Sequence, residues 1–214
     1  MIARLATASA GVLDVLVPQR CAGCNAFGRK LCDECRARFE RMPLAARARL
    51  ASDLEVIAFG THDGALRHAV LAIKFRHFRS GARLLGEMVA RRVSFSGDYL
   101  IPVPLHQARL RERGFNQADD IARGIGRVHG IPVAGHVIVR CRPTVAQSSL
   151  ALPERRTNVS GAFAVGTSAL DLSGAHLVLV DDVMTTGETL LACAAVLRKC
   201  GAAMVSAVVL ARRL

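Results

Sequence analysis

The sequence predicts an α/β protein built on a mainly parallel sheet, with a small cysteine-rich appendage at its N-terminus. Short apolar runs of strand length, near 55–59, 99–103, 137–139, 178–180 and 204–210, alternate with segments whose apolar residues recur at helical spacing. Most of the connections are long enough for the crossovers that parallel strands require. Two CxxC pairs lie close together near the start of the chain. With 214 residues, the chain accommodates one domain of ordinary size and a small addition. We expect residues 1–50 to hold an N-terminal helix and a four-cysteine finger, and residues 51–214 the α/β domain.

In chain order, Leu5, Val12, Leu13 and Leu16 share one helical face, and Asp14 interrupts the apolar stretch that ends at Val17. An amphipathic helix packed on its own protein is expected, a secretory leader being the alternative. Cys21-Ala22-Gly23-Cys24 and Cys32-Asp33-Glu34-Cys35 then form two knuckles. Four thiolates in two such turns can close a tetrahedron around structural Zn²⁺, with Cys21, Cys24, Cys32 and Cys35 as ligands. The rivals are disulfides, disfavoured in a reducing cytoplasm where we place the chain, and a redox CxxC, which usually occurs singly. Gly23 is read as allowing a tight knuckle, and Arg29 and Lys30 as offsetting the thiolate charge. From Arg36 to Leu54 we expect helix and then linker.

Glu55 to Phe59 reads as a strand ended by Gly60. Two helices follow, carrying Leu66, Val70 and Ile73 and then Leu84, Leu85, Met88 and Val89, joined through Lys74-Phe75-Arg76. That basic stretch suits either a solvated helix end or a binding role. Asp98 to Val103 is a strand running into a turn stiffened by Pro102 and Pro104. Behind it stand Arg109, Arg111 and Arg113, whose guanidinium groups pair well with phosphate oxygens, and a helix through Ile121 and Ile125. The stretch 140–159 has little periodicity and reads as a lid carrying Arg140, Arg142, Arg155 and Arg156, or as a linker.

Val178-Leu179-Val180-Asp181-Asp182-Val183-Met184-Thr185-Thr186-Gly187-Glu188-Thr189-Leu190 passes from buried strand through two acids to a helix start. Vicinal sugar hydroxyls can donate to such carboxylates, and a helix N-terminus offers free N–H groups to a phosphate. Thr185 to Glu188 also fits a capping box, which leaves the acid pair unexplained.

The formal net charge is +12, and 26 of the 29 cations are arginine. That balance is compatible with nucleic acid or a polyanionic small molecule. With one tyrosine and no tryptophan there is no clear aromatic platform for stacked bases. No apolar run is long enough to span a membrane. The histidines show no metal-ligand spacing.

The strand, acid pair and Thr-Thr-Gly-x-Thr turn resemble the phosphoribosyl-pyrophosphate (PRPP) signature of type I phosphoribosyltransferases. Together with the tandem CxxC finger, Pro102-Val103-Pro104-Leu105, Arg113-Gly114-Phe115-Asn116-Gln117-Ala118, and Gln147 with Arg155 and Asn158, the chain resembles the ComF/GntX proteins. These have a phosphoribosyltransferase fold and an N-terminal zinc finger, and are linked to natural competence and DNA uptake. The resemblance implies that Asp181 and Asp182 bind the ribose hydroxyls, and that Thr185, Thr186, Gly187 and Thr189 hold the 5′-phosphate. It makes Val103, Pro104 and Leu105 the pyrophosphate loop, with Arg113 beside it. Mg²⁺ would accompany PRPP, and the reaction would displace pyrophosphate at the anomeric carbon. In that reaction the acids would stabilise the oxocarbenium-like state, and Arg140 and Arg155 the leaving diphosphate. Purine-salvage relatives carry an aspartate where Thr185 stands, so the resemblance disfavours 6-oxopurines and leaves the acceptor open. The alternative is a non-catalytic module that senses PRPP or a nucleotide and contacts single-stranded DNA or an uptake helicase.

Overall fold

The computed structural model describes residues 20–44, 47–75, 78–142, 161–168 and 170–213. The helix expected over Leu5–Val17, the segment 143–159 with Gln147, Arg155, Arg156 and Asn158, and Arg76 lie outside the described residues. Helix α1 spans Asp33–Arg41 and strand β1 Ala48–Leu50, followed by β2 Leu54–Thr61, α2 Gly64–Phe75 and α3 Arg79–Arg92. Then come β3 Tyr99–Pro102, α4 Gln107–Arg113, α5 Gln117–His129, β4 Ile138–Arg140 and β5 Phe163–Val165. The chain closes with β6 His176–Met184, α6 Glu188–Lys199 and β7 Met204–Arg212.

The main sheet has the order β1-β2-β7-β6-β3. Strand β2 pairs in parallel with β7, β7 with β6, and β6 with β3; only β1 runs antiparallel, at the edge. The predicted mainly parallel α/β sheet is therefore observed. Its central strands are continuous apolar runs because both faces are covered. Side chains alternate across a strand, so β6 sends Val178 and Val180 to the layer of α2, α3 and α5, and Leu177 and Leu179 to the layer of α6. The outer edge of β3 is closed by residues 132–134: Leu100 N–H donates to the Pro132 carbonyl and Ala134 N–H to that of Leu100, both at 2.9 Å.

Three sequence expectations are corrected. The segment read as a linker before residue 54 contains β1, which is three residues long and too short for a periodic signal. Strand β2 does not stop at Gly60 but runs on to Thr61. Gly60 is there for room: a Cβ would come within 2.5 Å of the Met42 methyl, which lies over the strand. The run at 137–139 does not join the main sheet either. As β4 it pairs antiparallel with β5, a three-residue strand that carries no sequence signal.

The four-cysteine segment is packed into the body of the protein. Phe39 of α1 is fully buried in the same apolar cluster as Phe59, Leu66 and Val70. Arg92 at the end of α3 donates to the carbonyls of Phe39 and Met42, at 2.8 and 2.7 Å. The expected division at 50/51 falls in the connection between β1 and β2, while these contacts cross it.

Helices α3 and α5 meet through glycine. A Cβ on Gly124 would lie 2.1 Å from the Arg83 carbonyl oxygen, and one on Gly86 would lie 2.2 Å from that of Ile121. Both obstacles are backbone and cannot rotate away. The gain of about 1 kcal/mol in helix propensity from glycine to alanine is outweighed by an overpacking cost of about 1–3 kcal/mol or more. Gly124→Ala is expected to lower the melting temperature by roughly 3–10 °C, read by circular dichroism; an unchanged or raised value would contradict the contact.

Candidate functional site

The alternation that places Val178 and Val180 on one face of β6 and Leu177 and Leu179 on the other continues into the two acids. Asp182 therefore emerges on the α2 side and Asp181 on the α6 side, at the carboxyl end of a central parallel strand. Such ends are where open α/β sheets place ligands. A crevice of about 330 Å³ opens there, lined by both acids, Lys74, Phe75, the loop Val103–Leu105, Arg109, Arg113, Arg140, Thr185 and Thr189, among others.

Asp182 is almost fully buried, and Lys74 Nζ of α2 lies 3.0 Å from its Oδ1. Its Oδ2 is buried with no hydrogen-bond partner among the described residues. The Asp181 carboxyl accepts the Asp182 backbone N–H at 2.8 Å. Burial, and then the Asp182 charge, push the Asp181 carboxyl up to about 7, against the opposing pull of Lys74, the Asp182 amide and Arg140. On the α6 side the Cys193 thiol is pushed up by burial and by the Asp181 charge.

The turn after β6 ends with Gly187 at φ 84°, the left-handed region that favours glycine, and Gly187 is the N-cap of α6 without a side-chain cap bond. The helix thus starts two residues later than a capping box at Thr185 requires, and that box is not the cap. The Thr186 hydroxyl oxygen is buried and has no partner among the described residues. A buried hydroxyl without a partner at a helix N-terminus, where the first N–H groups have no intrahelical acceptor, fits an incoming phosphate.

The loop after β3 is held at its first residue, Val103. Val103 N–H donates to the Val180 carbonyl at 2.9 Å, and Asn116 Nδ2 donates to the Val103 carbonyl at 3.0 Å. Asn116 also caps α5, its Oδ1 accepting the Ala118 N–H at 3.1 Å, so one side chain ties the loop to the helix behind it. Arg113 is buried and donates to Gln117 Oε1 at 2.6 Å. Burial lowers its pKa, and the Asp182 charge partly restores it. Arg140, at the end of β4, is likewise lowered by burial and raised by Asp181.

The structure thus brings together Asp181, Asp182, Thr185, Thr189, Val103, Pro104, Leu105, Arg113 and Arg140 around one crevice, with Thr186 and Gly187 in the turn beside it. Arg155 lies outside the described residues. Lys74 had been noted only within a basic stretch of open meaning. The available signal was its phase: Lys74 is four residues after Val70 and eight after Leu66, on the buried stripe of α2. Gln117 stood in the 113–118 motif without a role of its own, and His62 was passed over with the other histidines for want of metal-ligand spacing. Burial, then the charges of Lys74, Arg67 and Arg213, depress the His62 pKa, so the imidazole beside the crevice is neutral.

The four cysteines form a second centre. Their Sγ atoms all lie within 4.8 Å of one another, with Cys32 Sγ 3.6 Å from that of Cys21 and 3.7 Å from that of Cys24. A tetrahedron with Zn–S bonds of about 2.3 Å has edges of about 3.8 Å, so the set fits zinc. The N–H groups of Cys32 and Cys35 donate to the sulfurs of Cys21 and Cys32, both at 3.4 Å. All four cysteines are free rather than disulfide-bonded. Gly23 serves the site through space: a Cβ there would lie 2.7 Å from Cys35 Sγ. Arg29 gives its charge to Asp33, at 2.7 Å, rather than to the sulfurs.

Residues 110–214 match the phosphoribosyl transferase domain family. With the mainly parallel sheet and the placement of the crevice, the match indicates a phosphoribosyltransferase-like fold in a chain that carries a four-cysteine cluster near its N-terminus. Over about half its length it is similar to bacterial competence and DNA utilization proteins. Competence protein F of Haemophilus influenzae is 38% identical over 102 residues, covering 48% of this chain and 44% of that protein. The DNA utilization protein YhgH of Escherichia coli O157:H7 is 39% identical over 117 residues, covering 55% and 50%. The aligned stretches span about half the length of these relatives. Among solved structures, glutamine PRPP amidotransferase from B. subtilis superposes with a TM-score of 0.43 at 20% identity, covering 62% of this chain and 26% of that one. Among the described residues no helix is long and apolar enough to cross a membrane.

Two predictions follow from the geometry. Asp181 has a folded pKa near 7, above its unfolded value of about 3.9. The folded state therefore keeps a proton that the unfolded chain sheds, and stability falls as pH rises between these values, levelling off above the upper one. The melting temperature of the wild type should drop on going from about pH 5 to about pH 7.5 by about 3 °C or more beyond any change in Asp181→Asn. Equal slopes would show that Asp181 is not the group responsible. For the finger, elemental analysis should find about one zinc per chain, lost in Cys32→Ser; a folded, metal-free wild type would contradict the site.

Proposed function

We propose that the crevice at the end of β6 binds PRPP and that the protein transfers its phosphoribosyl group to an acceptor, releasing pyrophosphate. The observation that carries this reading is the pairing, within one turn of chain, of two kinds of unmet bonding capacity. One is the buried Asp182 Oδ2, an acceptor for ribose hydroxyls, and the other is the buried Thr186 hydroxyl at the start of α6, a donor for a phosphate. A diol and a 5′-phosphate are separated on one sugar in just this sense.

In this reading Asp181 and Asp182 accept the 2′- and 3′-hydroxyls, and the turn Thr185–Thr189 holds the 5′-phosphate. The Val103–Leu105 loop, fixed by Asn116 and flanked by Arg113, faces the pyrophosphate. Arg140 lines the crevice from the end of β4, and Arg155, outside the described residues, is proposed as a second arginine for the diphosphate. As the C1–O bond to pyrophosphate breaks and the bond to the acceptor forms, positive charge develops on the ring and is stabilised by the acid pair. The departing diphosphate is met by the arginines. Magnesium, when bound with the ligand, would supply charge neutralisation on the leaving group and would need few protein ligands. Among the described residues, Asp181 and Asp182 are the only carboxylates lining the crevice that could assist it. The thiol-rich finger is consistent with a cytoplasmic setting, and we place the protein in DNA uptake on the names of its relatives, a competence protein and DNA utilization proteins.

One further reading is favoured by those relatives' names and by the +12 charge: a module that binds PRPP or a nucleotide without turnover and contacts single-stranded DNA or an uptake helicase. Pyrophosphate release from PRPP with Mg²⁺ and a panel of acceptors separates the two. Calorimetry should show PRPP binding weakened by about tenfold or more in Asp182→Asn, equivalent to at least about 1.4 kcal/mol. Equal binding by that variant would remove Asp182 from the site.

A further inference from the structure

Lys74 occupies an unusual place for a lysine. The chain has three lysines against 26 arginines, and this one lies in the buried stripe of α2, its side chain 24% exposed, against a carboxylate 5% exposed. Burying a carboxylate costs several kcal/mol unless a partner answers it. The ammonium answers only one oxygen: Oδ1 is paired at 3.0 Å, while Oδ2 is buried without a hydrogen-bond partner among the described residues. A purely structural ion pair has no need of an orphaned oxygen beside a crevice. Such an oxygen has a purpose if a ligand hydroxyl donates to it. Lys74 itself lines that crevice, and an ammonium has three donors, of which the pair with Asp182 uses one.

The charge of the crevice points the same way. Lys74, Arg109, Arg113, Arg140 and Arg213 line it against Asp181 and Asp182 alone. A phosphorylated sugar diphosphate therefore meets a net positive wall before any metal arrives. The ammonium stands beside the carboxylate that would otherwise draw a divalent cation to the ribose.

Resting on the PRPP reading above, we propose that Lys74 is a cation built into the ribose site: it pairs with Asp182 and orients it, and lets the phosphoribosyl ligand bind without a divalent metal. The role is one of positioning and charge, and it concerns binding rather than transfer.

The test is calorimetric titration of the full chain with PRPP, once in excess Mg²⁺ and once in EDTA with the zinc retained, for the wild type and Lys74→Met. Methionine keeps the apolar length of the side chain, and a melting curve verifies that the variant is folded. The wild type is expected to bind in EDTA within about tenfold of its affinity in Mg²⁺. Lys74→Met should lose about tenfold or more in EDTA and much less in Mg²⁺, because the metal then supplies the missing charge. A purely structural lysine would weaken both titrations alike, and that result overturns the proposal. It is also overturned if the variant binds in EDTA as the wild type does, or if the wild type binds in Mg²⁺ and fails in EDTA. Those outcomes leave the PRPP reading standing; a folded wild type that binds under neither condition overturns both.

Discussion

A carboxylate buried at the end of a parallel sheet must be answered by a cation, and much of this structure serves that need. The acid pair follows four apolar residues on β6, and strand alternation turns Asp182 toward the α2 layer. Only a helix crossing that layer can bring a cation to it, and α2 does so with Lys74 in its last turn. Asp181, turned the other way, has no ion-pair partner among the described residues. It is left with burial and a like charge, which push its carboxyl up, and with the more distant pull of Lys74 and Arg140. Two adjacent residues of one type thus acquire different electrostatic characters from the parity of a strand.

The site's framework was legible where chemistry is local. Asp181 to Thr189 forms a contiguous pattern whose order, strand then acids then turn then helix, maps directly onto the observed geometry. The four cysteines were readable for the same reason, their spacing being the geometry of two knuckles. Pro102 and Pro104 marked the loop that the structure fixes through Asn116. What sequence could not supply was what reaches the site from elsewhere. Lys74 comes from more than a hundred residues before Asp182, and its only local sign is a charge in an apolar helical stripe. Gln117 matters because Arg113 is buried, and burial is a property of the assembled layers. The short strands β1 and β5 escaped because three residues hold too few alternations to define a period. The threonine at 185 fitted a cap that the chain places at Gly187 instead, because the tight turn requires a left-handed residue.

Helix packing behind the crevice is equally constrained. Asp120, fully buried on α5, is clamped by Arg79 and Arg83 of α3 at 2.7 and 2.9 Å. The glycines at 86 and 124 let the two backbones approach closely. This joint fixes α5, whose N-cap Asn116 holds the Val103 carbonyl. The position of the loop facing the crevice is thus set by contacts made on the far side of the helix, where no ligand reaches.

The order of the sheet also sets what can be cut from this protein. The stretch 110–214, which resembles its relatives, contributes only β6 and β7 to the five-stranded sheet. Those two strands pair with each other, and their outer partners, β2 and β3, both come from the preceding half. Expressed by itself, that stretch would present two unpaired parallel edges and a bare apolar face, and would have no lysine opposite Asp182. Its natural fate is aggregation. The recognisable half of the sequence is therefore not a foldable half, and dissection of this molecule by sequence similarity would remove the parts that make its site a site.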